Sequence, residues 1–196
     1  METVLELEKI ESSPLTRKKF RSDEVYKMVE AGILPEESGW ELIGGEIIHR
    51  MTIGSKHASI VKKLNRIFAG LLDERTIVSI LDPIHIDSHN EPEPDVALLK
   101  PREDFYAKSH PQPEDVLLLI EVADSSVEFD RETKKSLYAV AGITEFWLVN
   151  LKENTVEVFS QPKNGTYRLV QILERGEVLH SSAIESLSLE VGEILG

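Results

Sequence analysis

The densest apolar stretch of the chain is VLLLIEV at 116–122, and its alternation reads as a strand. Leu117, Leu119 and Glu121 fall on one face, and Leu118, Ile120 and Val122 on the other. Both faces are apolar, which predicts a central strand covered on each side. At 55–75 the period changes to that of a helix. Ile60, Val61, Leu64, Ile67, Phe68, Leu71 and Leu72 line one side, and Lys62, Lys63, Asn65 and Arg66 the other.

Shorter patterns fill in the rest. A helix over 23–33 is capped by Ser22 and stopped by Gly32 and Pro35. WELIGGEIIHRM reads as a hairpin turning at Gly44 and Gly45. TIVSILDPIHID and DVALLK read as strands on either side of the turn-rich SHNEPEP. The loop at 101–115 reads as a mobile flap, followed after 116–122 by a helix over 130–141 that Gly142 ends. EFWLVNL is another strand; TVEVFSQ, TYRLVQI and EVLHS form a meander, and LSLEVGEIL closes the packing. This order predicts an α/β fold of the α+β kind with a mixed central sheet. It predicts one domain over 1–196, with a flexible arm at 1–20 and a peripheral β extension at 151–196.

Composition narrows the chemistry. With no cysteine among 196 residues, thiolate metal sites and disulfides are excluded. Any metal is left to oxygen ligands or to the 6 histidines, which favours hard cations such as Mg²⁺ or Mn²⁺. No signal-peptide pattern and no run of about 18 apolar residues is present, so the sequence reads as a cytoplasmic protein. The net charge of −13 works against nucleic acid, because phosphate binding needs Lys and Arg. Local patches that could offset it are Arg17, Lys18, Lys19 and Arg21; Lys62, Lys63 and Arg66; and Lys100 with Arg102.

Glu121 stands out because a buried, unpaired carboxylate costs several kcal/mol. It has to reach water, meet a cation or bind a metal. Asp95 opens the preceding strand after Pro94, and an antiparallel arrangement would bring the two carboxylates together. Such a pair suits an octahedral cation that keeps several waters. In the following helix Asp130, Lys134 and Tyr138 share a face, which permits an Asp130–Lys134 contact. Glu41 and Glu46 flank the hairpin turn, where glutamates are usually solvated. His57 lies in the first turn of its helix, where a cap, a supporting place beside a site and metal ligation are all open.

Several of these residues together resemble a known family. Pro94-Asp95, Ile120-Glu121-Val122, Asp124-Ser125-Ser126, Asp130-Arg131, Lys134, Tyr138, Ala141-Gly142-Ile143 and 145–149 (EFWLV) are similar to the signature of the Uma-type putative restriction endonuclease family. Trp40-Glu41-Leu42-Ile43, Gly45-Glu46 and His57 extend the resemblance over about residues 20 to 160. That family belongs to the PD-(D/E)XK nuclease-like superfamily, whose core is a helix, a three-stranded meander, a helix and a further strand. The resemblance implies metal ligation by Asp95 and Glu121, with Glu46 as a weaker candidate ligand and Lys134 as a catalytic lysine beside its neighbour Lys135. The superfamily's usual lysine, two residues after the acidic one, is replaced here by Ala123.

The expected activity is therefore a Mg²⁺- or Mn²⁺-dependent endonuclease acting on DNA. A catalytically silent nuclease-fold domain serving binding or assembly is the alternative that the net charge motivates. Two carboxylates acting on a sugar form a third, which leaves the lysine without a role. The strands over 155–180 leave an edge that a second copy could cover, so a homo-oligomer is expected.

Overall fold

The computed structural model describes residues 16–35, 39–49 and 54–196. The greater part of the expected arm, residues 1–15, and the end of the expected hairpin at 50–51 lie outside these. The elements in order are α1 (Ser22–Glu30), β1 (Trp40–Ile43), β2 (Glu46–His49), α2 (Ser55–Leu71), β3 (Ile77–Ile80), β4 (Val96–Leu99) and β5 (Val116–Ala123). Helix α3 then runs through Val127–Phe129, a π-helical segment Asp130–Lys134, and Lys135–Val140. It leads to β6 (Glu145–Asn150), β7 (Thr155–Lys163), β8 (Thr166–Leu173), β9 (Val178–His180), β10 (Ser188–Glu190) and α4 (Val191–Leu195).

Six strands form one mixed sheet in the order β3-β4-β5-β6-β7-β8, in which only β5 and β6 run parallel. A parallel pair needs a crossover, and α3 supplies it. On one face Ile60, Val61, Leu64 and Phe68 of α2 pack with Leu118, Ile120 and Val122 of β5 and with Ile194 of α4. On the other, Leu119 and Ala123 pack with Val127, Tyr138 and Ala139 of α3. The central strand is thus covered on both sides, as its apolar run predicts. Leu117 departs from the expected alternation. The β4–β5 register shifts between Leu98 and Leu99, so Leu117 is a bulge residue and packs on the α2 face with Leu118.

Other differences have local causes. Helix α1 takes Arg21, not Ser22, as its cap, with the Arg21 amide donating to Glu24 Oε2 at 2.9 Å. Strand β3 stops at Ile80 because Leu81 takes a positive φ of 57°; the chain then doubles back, with Ile84 N donating to Pro92 O and Ile86 N to Asn90 O. The segment expected as a flap is tied down. Arg102 stacks on Tyr106 at 3.9 Å and donates to Ser109 O, while the Tyr106 hydroxyl donates to Lys100 O. Strands β7 and β8, expected in a peripheral extension, continue the central sheet, whereas 178–180, expected in their meander, pairs with β10.

The β1–β2 hairpin lies outside the sheet and is docked by backbone. Leu42 and Glu91 exchange hydrogen bonds of 3.2 and 2.7 Å, and Gly45 N donates to His89 O. Gly45 has a φ of 74°, and a Cβ there would meet Lys19 Cβ at 2.8 Å, so a glycine is required. This docking lays β1 along the segment that leads into Asp95.

Candidate active site

The antiparallel register of β4 and β5 pairs Val96 with Ile120. Asp95, one residue before β4, therefore sits beside Glu121 and Val122, and both carboxylates are almost fully buried. Where the backbone ladder ends, the Asp95 side chain continues it, with Oδ2 accepting from Val122 N at 2.8 Å. The same oxygen is 2.9 Å from His57 Nε2, in the first turn of α2. His57 Nδ1 is buried and has no hydrogen-bond partner among the described residues.

Glu121 faces α3, whose π-helical segment ends at Lys134. π-Helical turns commonly occur at functional sites because they redirect side chains. Lys134 Nζ donates to Glu121 Oε1 at 2.9 Å and to Glu41 Oε1 at 2.8 Å, and lies 3.9 Å from Asp130 Oδ1. One turn on, the Tyr138 hydroxyl donates to Glu121 Oε1 at 2.7 Å. Both donors use the same oxygen, leaving Glu121 Oε2 without a donor among the described residues. Ser126 Oγ holds Asp130 Oδ2 at 2.6 Å, and Arg131 ties the helix to Glu157 of β7.

Charge is unbalanced here. Glu41, Asp95, Glu121 and Asp130 are all buried, against one buried ammonium, Lys134. Burial pushes Glu121 up to about 8, against the pull of Lys134, with the charges of Asp130, Asp95 and Glu41 adding to the rise. Burial likewise raises Asp130 despite Lys134 and Ser126. For Lys134, burial favours the neutral amine, but the carboxylates of Glu121, Glu41 and Asp130 outweigh it and hold the ammonium above its ordinary value. Tyr138 is held well above its usual value, first by burial and then by Glu121, and stays a phenol donor.

The four carboxyl groups and Lys134 line a cavity of about 380 Å³, with Tyr138 buried behind them. It brings together Asp95, Glu121, Lys134 and His57 with Asp130, and adds Glu41 and His49. Glu46, expected as a weaker ligand, is not part of it: its half-exposed side chain pairs with Lys19 at 2.6 Å. The register pairs Glu46 with Ile43 at the turn and places Glu41 two positions further along β1, against Glu93 and Lys134. Glu41, expected in solvent, is instead the buried hairpin glutamate. Nothing in its local pattern separates it from Glu46, which also borders an apolar run. Lys135 turns away and lies 5.5 Å from the Phe159 ring.

The residues fit a hard divalent cation. The donors are oxygens, and burial, with the neighbouring carboxylates of Asp130, Asp95 and Glu41 adding to it, raises Glu121 despite Lys134. Among the described residues no group of three or more His, Asp or Glu side chains is placed to hold a metal ion. Mg²⁺ is usually bound through one or two carboxylates together with waters and substrate phosphates. The ligands would be Asp95 and Glu121.

The site thus joins a central acidic strand end, a second carboxylate at the start of the neighbouring strand and a lysine from the crossover helix of a mixed sheet. The sequence profile of the Uma2 family, described as "Putative restriction endonuclease", matches residues 23–192, and the chain belongs to that family. The crystal structure of a putative nuclease belonging to DUF820 from Anabaena variabilis is similar, with a TM-score of 0.66 and 20% identity, covering 86% of this chain and 96% of that one. At that identity the likeness shows a shared fold. No curated protein sequence matches the chain. Among the described residues no helix is long and apolar enough to cross a membrane.

Proposed function

We propose that this chain is a divalent-metal-dependent endonuclease that hydrolyses DNA phosphodiester bonds, with Asp95 and Glu121 holding Mg²⁺ or Mn²⁺. The observation that carries the reading is the meeting of Asp95, Glu121 and Lys134 in one cavity of a chain from an endonuclease family. A divalent cation held there by Asp95 and Glu121 would supply Lewis acidity toward a phosphoryl oxygen and an attacking water. The protein's own groups do the rest. His57 and the Val122 amide fix Asp95, and Tyr138 and Lys134 fix Glu121. Lys134, catalytic in this reading, supplies a permanent positive charge where negative charge grows on the phosphate.

A homo-oligomer formed through β8 is part of the proposal. β8 is the edge of the sheet, carries no acidic residue in a chain of net charge −13, and exposes Leu169, Val170 and Ile172.

The test is cleavage of supercoiled plasmid at low salt. Nicking or linearisation with Mg²⁺ or Mn²⁺, abolished by a chelator and by Asp95→Asn, is expected. Metal binding without any cleavage would instead favour a nuclease-fold binding module.

A further inference from the structure

Helix α2 begins at the cavity, where Gly54 and His57 line it, and then leads away over the surface. Along its outer side lies a second, shallower groove lined by Ser55, Ala58, Ser59, Lys62, Lys63 and Arg66. Residues 55, 59, 62 and 66 recur at intervals of four, three and four and so share one helical face. Near the cavity that face carries small and hydroxyl side chains, which let a phosphodiester backbone come close to the helix. Further on it carries cations.

Two features separate this groove from an ordinary solvated helix face. The 17 residues of α2, SKHASIVKKLNRIFAGL, contain no Asp or Glu, although 35 of the chain's 196 residues are acidic. Nor are Lys62, Lys63 and Arg66 paired with carboxylates among the described residues, unlike Lys18, Lys19 and Lys27. A surface with a net charge of −13 repels DNA over most of its area, so an acid-free strip running out of the site is where a nucleic-acid backbone meets least repulsion.

We infer that the α2 groove is the track for the sugar-phosphate backbone of the nucleic acid, with Lys62 and Arg66 contacting phosphates on one side of the cleavage point. This rests on the nuclease reading of the adjoining cavity. A helix rises about 1.5 Å per residue, which puts Lys62 about 7.5 Å and Arg66 about 13.5 Å beyond His57. The two positions are four residues and so about 6 Å apart along the helix, which lets the two cations meet different phosphates of one strand. Lys63 contributes less, because its ammonium lies against Gly196 beside α4. The contacts carry no base recognition, so the track sets position and affinity and leaves sequence preference to other residues.

The experiment measures binding of a labelled duplex oligonucleotide by fluorescence anisotropy across a salt series, with chelator present so that no cleavage occurs. The full chain is compared with Lys62→Gln/Arg66→Gln and with a control of equal net charge, Lys108→Gln/Lys163→Gln, which removes exposed cations at the opposite end of the sheet. Each lost phosphate contact lowers the slope of log affinity against log salt by about 0.9 on duplex DNA, so the α2 variant loses about 1.8 and binds more weakly at low salt. The control keeps the wild-type slope. Equal slopes for the α2 variant and the control overturn the inference, as does a wild type that binds no DNA. A wild type that binds through the α2 track and never cleaves with metal contradicts the nuclease reading and leaves the track standing. Cleavage with an unchanged slope in the α2 variant does the reverse.

Discussion

Lys134 Nζ lies 2.9 Å from Glu121 Oε1, an ammonium and a carboxyl group both withdrawn from water at the end of the central strand. The lysine reaches there from the crossover helix and also holds Glu41 of the hairpin, so one side chain joins three separate elements. Removing one partner of a buried pair leaves an uncompensated charge, which costs about 3–5 kcal/mol. Lys134→Ala is expected to lower unfolding stability by that amount in urea titrations, and adding Glu121→Gln should recover part of the loss. A Lys134→Ala protein as stable as wild type would show that the pair is solvated.

The raised Glu121 carboxyl predicts a pH dependence. Burial moves its pKa from 4.5 to about 8, so over that interval the folded protein keeps a proton that the unfolded chain has released. The stabilisation from this group is complete below about 4.5 and is lost as pH rises through about 8. In chelator, melting temperatures should therefore fall across this window, and Glu121→Gln should flatten the slope. Affinity for Mn²⁺ should change in the opposite sense, rising with pH as Glu121 gives up its proton. A melting temperature that climbs from pH 5 to pH 8 in wild type only would contradict this.

His57 acts on the candidate metal site through Asp95. Partners that orient a metal ligand are typically worth about 10–100-fold in affinity. His57→Ala is expected to weaken Mn²⁺ binding by that factor, measured by calorimetry, with little change in the far-ultraviolet circular dichroism. Unchanged affinity would reduce His57 to a helix-end residue.

At the far edge of the sheet, Ile172 is the most exposed apolar side chain of β8. Charges on an edge strand prevent strand-to-strand association. Ile172→Lys should convert the proposed oligomer to monomer in sedimentation velocity, with cleavage retained at high enzyme concentration. A wild-type protein that sediments as a monomer at all concentrations would remove the oligomer from the account.

Much of this arrangement was legible from local pattern. Consecutive strands that pair bring the start of one to the end of the next, so Asp95 and Glu121 could be joined from their positions alone. Lys134 and Tyr138 share a helical face and both reach Glu121. What stayed hidden depends on contacts between distant segments. The hairpin is placed by the Leu42–Glu91 backbone exchange, and nothing within WELIGGEI says which glutamate that docking buries. Glu41 enters the site, and Glu46 stays with Lys19. The bulge at Leu117, the early end of β3 at Leu81 and the pairing of β9 with β10 likewise follow from register and backbone conformation, to which hydrophobic alternation is blind.

The central claim is that Asp95 and Glu121 bind a divalent cation together. Calorimetric titration of Mn²⁺ into the metal-free protein at pH 8 tests it most directly, with wild type, Asp95→Asn and Glu121→Gln compared at matched foldedness. The account predicts one site in wild type and its loss in each variant. Saturable binding of equal affinity in all three proteins would contradict it.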